Sequence, residues 1–371
     1  MRIGILTFFE TDNYGTVLQA YSLQKYLENC GHTVEFIHIY RDMIGGKNAQ
    51  ITPNFNVREK IRIKISTFLH RKDNLSKHIK FTEFRKNLRV TEKFYSMRDL
   101  SDYDWNDYDL YISGGDQIWN PNHKTFSYNY MFSFLPNDKK RISYASSFGQ
   151  HISFNQEIKN NFYNYLSKYS ALSVRESSGK DIIEMIGLKC RQVMDPVFLI
   201  KDEWLKAKRN ISGRSKYCVV YAISEYERSI DFEIKEFARK NKLKIVVLPE
   251  NRHNHLSNYK KKFDLSPDEF IELIANSNAV FTNSFHGAAF AILFNRQLFI
   301  LPCKNEREQN RQIRLTELLN TVGIENNRKD FNVAAINYDI VDKKIDKLIE
   351  ESKRFLNTAI NKCVSDRVEK R

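Results

Sequence analysis

The sequence predicts an α/β fold made of two domains, each built on a mostly parallel sheet. Short apolar runs of strand length alternate with amphipathic helical patterns, which is typical of consecutive βαβ units. This alternation runs from residue 2 to about 198 and begins again at Tyr217, after a stretch rich in Lys and Arg at Leu205–Ser215. The chain has 371 residues, of which 42% are hydrophobic, enough for two separate cores.

We therefore predict a first domain at 1–206 and a second domain at 207–371. The first domain includes a basic helical insertion at about 41–107. The tail at 339–371 has the pattern of a long helix, and we expect it to pack back on the first domain.

The charge is concentrated in one part of the chain. The formal net charge is +14, and residues 41–100 contain fifteen Lys or Arg against six Asp or Glu. A basic face of this kind suits an anionic membrane surface or a lipid-diphosphate substrate as well as nucleic acid. A solvated helical surface is the simpler interpretation and stays open.

The cysteines and the apolar runs exclude several classes of protein. The five cysteines are isolated, without a CxxC pair or a nearby histidine cluster, so neither structural zinc nor a disulfide framework is expected. The first strand begins at Arg2, which leaves no room for a signal peptide, and no apolar run approaches the ~20 residues of a membrane span. We expect a cytoplasmic protein, with peripheral association at the inner face of the membrane as an option.

The first elements form a βαβ unit. Strand Arg2–Leu6 is followed by a polar loop, an amphipathic helix at Thr16–Leu27 and a second strand at Val34–Ile39. The loop lacks the spaced glycines of a dinucleotide-binding fingerprint. Asn13 and Gly15, at the end of this loop, are candidates for an anion or sugar site, although they are also typical of a turn and helix start.

From about Arg41 the pattern is basic and dotted with aromatic residues, and its strong signals are helical, at Val57–Leu69 and Ile79–Leu88. Strand character returns at Tyr108–Ile112, and a glycine-rich polar loop follows at once. Paired glycines let backbone amides approach a ligand, and polar side chains beside a Trp suit a sugar. The candidate acceptor-binding residues in this loop are Gly114, Gly115, Asp116, Gln117, Trp119 and Asn120.

Two charged residues end the next strand patterns. Strands at Arg141–Ala145 and Ala171–Val174 lead to Arg175, whose guanidinium could grip a carboxylate or phosphate bidentately. A structural salt bridge to Glu176 or another neighbour is the alternative for Arg175. Asp195 precedes a proline and could line an interdomain cleft, or simply form a turn.

The second domain repeats the alternation. Ser266-Pro267-Asp268-Glu269 is a strong helix start, with a Ser cap, Pro at the first position and acids in the first turn. The predicted elements are strand Tyr217–Ala222, helix Asp231–Asn241, strand Lys244–Leu248, helix Ser266–Asn276, strand Ala279–Phe281, helix Gly287–Phe294, strand Gln297–Leu301, a charged loop Cys303–Gln312 and helix Arg314–Val322.

His286 lies where strand Ala279–Phe281 gives way to helix Gly287–Phe294. In an open α/β sheet, this crossing lies at the carboxyl end of the strand, where unpaired N–H groups and the helix dipole favour an anion. The imidazole titrates near neutral pH. His286 is therefore the candidate proton donor or acceptor of an anion site.

With these residues in view, the chain resembles the polysaccharide pyruvyl transferase family. The resemblance implies two Rossmann-like domains facing across a cleft, as in GT-B glycosyltransferases. It implies transfer of the pyruvyl skeleton of phosphoenolpyruvate to a sugar of a cell-surface polysaccharide or its lipid-linked precursor. The motifs that carry it, in the family's order, are Asn13-Tyr14-Gly15 with Leu18-Gln19-Ala20-Tyr21, Gly114-Gly115-Asp116-Gln117-Ile118-Trp119-Asn120, Ser173-Val174-Arg175-Glu176, Asp195-Pro196 and Asn283-Ser284-Phe285-His286-Gly287.

The resemblance also implies roles for particular residues. It makes His286 the acid that protonates the donor and Arg175 a ligand of the donor anion. Many relatives carry an arginine two residues before the histidine, where this chain has Ser284. Ser284, the amide of Gly287, Arg307, Arg311 and Arg314 are candidates to fill that function. No metal and no cofactor are expected beyond phosphoenolpyruvate as co-substrate.

Two other functions stay open at this stage. A GT-B glycosyltransferase would use the same kind of cleft to bind a nucleotide-sugar. A non-catalytic member of a polysaccharide-assembly complex would keep the fold and lose donor-binding residues such as the arginine replaced by Ser284. Nucleic acid is not an expected partner because the basic segment lacks a recognised nucleic-acid-binding signature.

Overall fold

The computed structural model describes residues 1–40, 71–123, 125–149, 154–208, 216–227, 229–249, 256, 259–304, 306–325, 331 and 334–368, with only the backbone at 306–311 and 364–368. This part of the chain contains two five-stranded sheets and one two-stranded sheet. Among these residues, no helix has the length and apolar character needed to cross a membrane.

The first domain is organised around a parallel sheet with the strand order β3-β2-β1-β4-β5. In chain order its elements are β1 (Arg2–Leu6), α1 (Tyr14–Asn29), β2 (Thr33–Ile39), α2 (Arg71–Arg85), β3 (Val90–Phe94), α3 (Met97–Asp102), β4 (Leu110–Ser113) and β5 (Arg141–Ser143). A smaller parallel pair and its helices follow, as α4 (Gln156–Leu166), β6 (Ser173–Val174), α5 (Ser177–Met185), β7 (Arg191–Gln192) and α6 (Lys201–Leu205).

The second domain repeats this topology. Its sheet is parallel with the order β10-β9-β8-β11-β12. In both sheets the first strand of the domain lies in the centre, the next two strands are added on one side of it, and the last two are added on the other side. The elements are β8 (Tyr217–Ala222), α7 (Ser229–Lys240), β9 (Lys244–Pro249), β10 (Lys260–Lys261), α8 (Pro267–Ala275), β11 (Ala279–Thr282), α9 (Phe285–Leu293), β12 (Gln297–Ile300), α10 (Glu306–Val322) and α11 (Tyr338–Val368).

Local chemistry explains where the helices that border the cleft begin. The Asn13 side chain accepts a hydrogen bond from the Thr16 amide at 3.1 Å and caps α1. Ser266 and Glu269 form a reciprocal capping box at the start of α8. Each cap satisfies amide groups that have no partner inside the helix.

Apolar contacts join the two domains beside the cleft. The Tyr14 ring of α1 stacks on the Phe270 ring of α8 with the centroids 4.3 Å apart, and the Tyr14 hydroxyl donates to the Leu265 carbonyl at 3.0 Å. The long helix α11 contacts the first domain, where Ser352 accepts a hydrogen bond from the Met194 amide at 2.9 Å. These contacts fix the orientation in which the carboxyl ends of the two sheets face each other.

The structure corrects three expectations about elements. The segment predicted as a helical insertion contributes β3 to the edge of the first sheet, because Val90 and Phe94 supply apolar packing and only one neighbouring strand is needed. The predicted helix at Ile79–Leu88 begins earlier, at Arg71, and the one at Val57–Leu69 lies outside the described residues. The predicted charged loop Cys303–Gln312 becomes helical from Glu306, because Glu, Arg and Gln are good helix formers even without an apolar stripe.

Candidate active site in the interdomain cleft

A cavity of about 330 Å³ lies between the two domains. Its first-domain wall comes from the segments that follow β1 and β4 and from the last residues of β2. Its second-domain wall includes the start of α9 and Arg314 of α10. Parallel strands place their carboxyl ends at one edge of a sheet, where ligands of α/β proteins bind. This cavity is therefore the candidate active site.

His286 is held between the domains in the first turn of α9. Its side chain is 12% exposed and forms part of the cavity wall. The ring packs against the backbone of α1, where a Cβ added at Gly15 would lie 2.0 Å from His286 Nδ1. Only glycine lets the first domain approach the imidazole this closely.

The other ring nitrogen of His286 points towards a buried carboxylate. His286 Nε2 lies 3.5 Å from Asp195 Oδ2 and has no hydrogen-bond partner among the described residues. This distance is longer than a hydrogen bond but short enough for charge attraction. The Asp195 carboxylate therefore faces the imidazole from across the domain interface.

Asp195 itself is fully buried and strongly acidic. It accepts hydrogen bonds from Arg175 Nη1 at 2.7 Å and from the Val197 amide at 3.0 Å. Burial on its own raises the pKa of Asp195, but His286 and Arg175 outweigh burial and hold the pKa well below its usual range. The carboxylate is therefore ionised at neutral pH.

Arg175 takes part in a structural ion network. Its Nε donates to Glu176 at 3.0 Å, its Nη2 donates to Ser147 at 3.2 Å, and its guanidinium lies 4.4 Å from the centre of the Phe285 ring. Burial lowers the pKa of Arg175, but Glu176 and Asp195 raise it further than burial lowers it.

The predicted role of Arg175 as a ligand of the donor anion stays a prediction, and the network shows what the guanidinium contacts. The structure places the guanidinium in the alternative arrangement, a structural salt bridge that includes Glu176. Arg175 lines a separate cavity of about 110 Å³ and is not part of the wall of the main cavity. Its carboxylate partners already supply the negative charges that a donor anion would bring.

Ser284 and Gly287 shape the start of α9. Ser284 lines the cavity and caps the helix by accepting a hydrogen bond from the Gly287 amide at 3.3 Å. A Cβ at Gly287 would lie 2.6 Å from Thr282 Oγ1. The Gly287 amide is engaged in this cap and the glycine serves close packing, and phosphate binding by this amide stays a prediction.

One of the arginines on α10 reaches the cavity. Arg314 belongs to its wall, and it also borders the smaller cavity. The backbones of Arg307 and Arg311 lie in the same helix, but their side chains are outside the described residues. Arg314 thus shares the wall of the main cavity with His286 and Ser284.

Three candidates for the acceptor site lie together on the first-domain side of the cavity. Asn13, Asp116 and Gln117 all belong to its wall. Asp116 has a left-handed backbone, with φ of 70°, and accepts a hydrogen bond from the Thr16 hydroxyl at 2.7 Å. These polar groups face the same space as His286.

The remaining candidates of the glycine-rich loop have internal roles. Trp119 is fully buried, with its ring against Phe148, so its predicted contact with a sugar is wrong. Asn120 is 5% exposed and donates to the Gln117 side chain at 3.1 Å, so it shapes the loop and is not in the cavity wall.

Gly114 and Gly115, predicted to bring backbone amides to the acceptor, lie in close packing in the structure, and their contact with an acceptor stays a prediction. The Gly114 amide donates to the Leu6 carbonyl at 3.0 Å, and a Cβ at this position would lie 3.0 Å from Thr7. A Cβ at Gly115 would lie 2.7 Å from Gln19 Oε1.

With this geometry in place, the comparison with known families becomes informative. Residues 13–305 match the family model described as polysaccharide pyruvyl transferase. The chain belongs to the polysaccharide pyruvyl transferase family. Family membership makes it a transferase that acts on polysaccharides, and the matched region includes His286 and part of each wall of the cavity. No match was found among curated proteins.

Solved structures show the same architecture for this pyruvyl transferase family member. It is similar to the UDP-GlcNAc 2-epimerase from Methanocaldococcus jannaschii, with 12% identity and a TM-score of 0.52 over 94% of this chain and 93% of that one. It is also similar to UGT89C1 from Arabidopsis thaliana, complexed with UDP-L-rhamnose, with 10% identity and a TM-score of 0.52 over 98% of each chain. At this identity the likeness concerns the fold, which is GT-B-like with two Rossmann-like domains facing across a cleft.

The cavity of this family member contains two histidines that sequence reasoning missed. His38 borders it and pairs with Glu10 at 3.0 Å, while His123 Nδ1 lies 2.9 Å from Thr125 Oγ1. His38 is the penultimate residue of β2, and its place at a carboxyl end beside β1 was the signal that could have found it. His123 had no such signal because it lies beyond the glycine-rich loop.

Proposed function

We propose that this protein transfers the pyruvyl group of phosphoenolpyruvate to two hydroxyls of one sugar, forming a cyclic ketal and releasing phosphate. The acceptor is a sugar of a cell-surface polysaccharide or its lipid-linked precursor. The observation that carries the proposal is the position of His286, which lines a cavity between the domains and lies 3.5 Å from the buried Asp195 carboxylate.

The reaction makes specific chemical demands. A proton adds to the methylene carbon of phosphoenolpyruvate, and C2 becomes cationic as its double bond is lost. One sugar hydroxyl attacks C2 and loses its proton. The C–O bond to phosphate then breaks, and the second hydroxyl attacks C2, loses its proton and closes the ketal. The two hydroxyl protons replace the one that was added to the methylene carbon and supply the one that leaves with the phosphate. The site must supply an acid, anion ligands and hydroxyl ligands.

His286 meets the demand for an acid. Its Nε2 lies 3.5 Å from the buried Asp195 carboxylate, and its Nδ1 side packs against the backbone of α1 at Gly15. In this role Asp195 is a positioning residue, because it acts on the substrate through His286. We infer that it does not bind the acceptor, since its side chain is fully buried and both of its oxygens accept hydrogen bonds inside the protein.

The other polar groups of the cavity divide between the two substrates. Arg314 and the Ser284 hydroxyl lie on the second-domain wall with His286 and suit the phosphate or carboxylate of the donor. Asn13, Asp116 and Gln117 lie on the first-domain wall, where carboxylate and amide groups suit the hydroxyls of the acceptor. In this arrangement the two reactants meet between the domains, beside the imidazole.

Thermal-shift measurements with phosphoenolpyruvate and with UDP test the donor. Stabilisation by phosphoenolpyruvate but not by UDP supports the proposal, because a ligand that binds only the folded state raises the melting temperature. Stabilisation by UDP alone would reject it in favour of a nucleotide-sugar transferase. Stabilisation by neither, together with no phosphate release from phosphoenolpyruvate in the presence of hexose glycosides, would indicate a non-catalytic protein.

A further inference from the structure

One face of α2 (Arg71–Arg85) exposes two apolar side chains to solvent. Leu75 and Ile79, one helical turn apart, are each 58% exposed, whereas Phe81 and Phe84 on the opposite side are buried in the core. Single exposed aliphatic residues are common, but two on adjoining turns of one helix form a continuous apolar strip. The helix therefore has apolar residues on two sides, one packed in the core and the other exposed to solvent.

Basic residues lie at one end of this strip. Arg71 and Lys72 precede Leu75 by about one turn and share its side of the helix. Lys86 lies just after the end of α2, and its charge is paired with Glu83 at 2.5 Å. We call Arg71, Lys72, Leu75 and Ile79 the α2 face. It combines apolar surface with an excess of positive charge.

The inner side of α2 connects this face to the active-site cavity. Arg85 donates to the Thr11 carbonyl and to Asp12, both at 3.0 Å. His78, one turn after Leu75 and 58% exposed, borders the α2 face, and its Nδ1 lies 2.8 Å from Asp12. Thr11 lies in the wall of the cavity. Ser76 donates to Asp264 of the second domain at 2.9 Å. The α2 face thus lies about one helix diameter, ~10 Å, from the first-domain wall of the cavity.

We infer that the α2 face docks on an anionic lipid bilayer. A helix that lies in the membrane interface buries its apolar side chains at the boundary of the headgroups and acyl chains, while Lys and Arg contact anionic headgroups. The inference extends the proposed function by identifying the acceptor as lipid-anchored, because docking brings the cavity to the surface where such an acceptor is held. Bilayer binding itself requires no catalysis, so the two proposals fail independently.

Co-sedimentation of the full-length protein with vesicles tests the inference. The vesicles contain phosphatidylcholine alone or phosphatidylcholine mixed with phosphatidylglycerol. We expect binding to the mixed vesicles at about 0.1 M salt and weaker binding at about 1 M salt, where screening is stronger. Leu75→Glu with Ile79→Glu should weaken binding about tenfold or more, because it removes the apolar strip and adds two negative charges.

A matched control uses an exposed aromatic residue elsewhere. Phe232 on α7 is 68% exposed, and Phe232→Glu should leave vesicle binding unchanged. Equal melting temperatures of the variants and the parent protein would show that the fold is intact.

Several outcomes would overturn the inference. These are absence of vesicle binding by the parent protein, equal binding to vesicles without phosphatidylglycerol, or unchanged binding of the Leu75→Glu/Ile79→Glu variant. Loss of binding on Arg71→Glu with Lys72→Glu, with no effect of the Leu75 and Ile79 changes, would indicate attraction to any polyanion, nucleic acid included. Retention of the phosphoenolpyruvate thermal shift in the variants would show that the donor site is separate from docking.

Discussion

Asp195 Oδ2 lies 3.5 Å from Nε2 of His286, and the same oxygen accepts a hydrogen bond from Arg175 at 2.7 Å. The histidine belongs to the second sheet's domain, whereas the other two residues follow strands of the first. The imidazole is thus joined electrostatically to a buried ion pair across the cleft. A motion that separated the domains would separate this charge from the imidazole as well.

Replacing His286 by alanine should lower the rate of pyruvyl transfer by about 10²–10⁴-fold, the usual contribution of a positioned general acid. The measurement is phosphate release from phosphoenolpyruvate with a sugar acceptor. His32→Ala is the control, because His32 immediately precedes β2 at the opposite edge of the sheet. Full turnover by His286→Ala, with an unchanged melting temperature, would show that another group protonates the donor.

Asp195→Asn should lower kcat for pyruvyl transfer and leave KM for phosphoenolpyruvate nearly unchanged. The Asp195 carboxylate is fully buried and lies 3.5 Å from His286 Nε2, so it acts on the reacting atoms through His286 and does not bind the donor. Steady-state kinetics at a series of phosphoenolpyruvate concentrations measure both constants. A large rise of KM with kcat unchanged would contradict this positioning role.

The same carboxylate should make stability sensitive to acid. The pKa of Asp195 is depressed in the folded state and about 3.9 when unfolded, so its contribution to stability is present above about pH 4 and is lost as the pH falls through the folded value. The free energy of unfolding should decline by up to ~1.4 kcal/mol per pH unit in that range.

Urea unfolding at a series of pH values measures this decline, which should be shallower in Asp195→Asn. The exposed Asp138→Asn serves as the control. Asp195→Asn should also be less stable near pH 7 by about 3–5 kcal/mol, because Arg175 loses one partner of its buried pair. Parallel pH curves for Asp195→Asn and the parent protein would contradict the assignment.

Gly15→Ala should impair catalysis although alanine favours helix. The new Cβ would lie 2.0 Å from His286 Nδ1, so the imidazole or α1 must move, and we expect a loss of kcat of at least about tenfold. In an unobstructed helix the same change stabilises by about 1 kcal/mol. Ser22→Ala in the same helix is the control. A more stable and fully active Gly15→Ala would show that the contact is dispensable.

Arg314→Ala should weaken binding of the donor. Loss of a hydrogen bond to a charged group costs about 1.5–3 kcal/mol, so KM for phosphoenolpyruvate should rise about 10–100-fold with a smaller change in kcat. Arg191→Ala removes a positive charge from the smaller cavity only and should leave this KM unchanged. An equal effect of both changes would point to overall charge and not to a specific ligand.

Much of the fold followed from local patterns. Tyr217–Ala222 was predicted with the bounds that it has in the structure, and the helix start at Ser266 is capped as expected. The bounds of α2 and the strand β3 were missed, because an amphipathic basic segment offers no clear period and an edge strand needs little apolar surface. Of the donor-site candidates, His286 and Ser284 lie in the cavity wall, as do Asn13, Asp116 and Gln117 of the acceptor site.

The sequence by itself determined the α/β alternation, the two-domain plan and the place of His286 at a helix start, because these depend on residues close together in the chain. Only the tertiary structure decided that Trp119 is core, that Arg175 pairs with Asp195 and that Gly15 accommodates the imidazole. Those outcomes depend on how two domains pack. A contact between Gly15 and His286 joins residues far apart in sequence, so no local period or propensity encodes it.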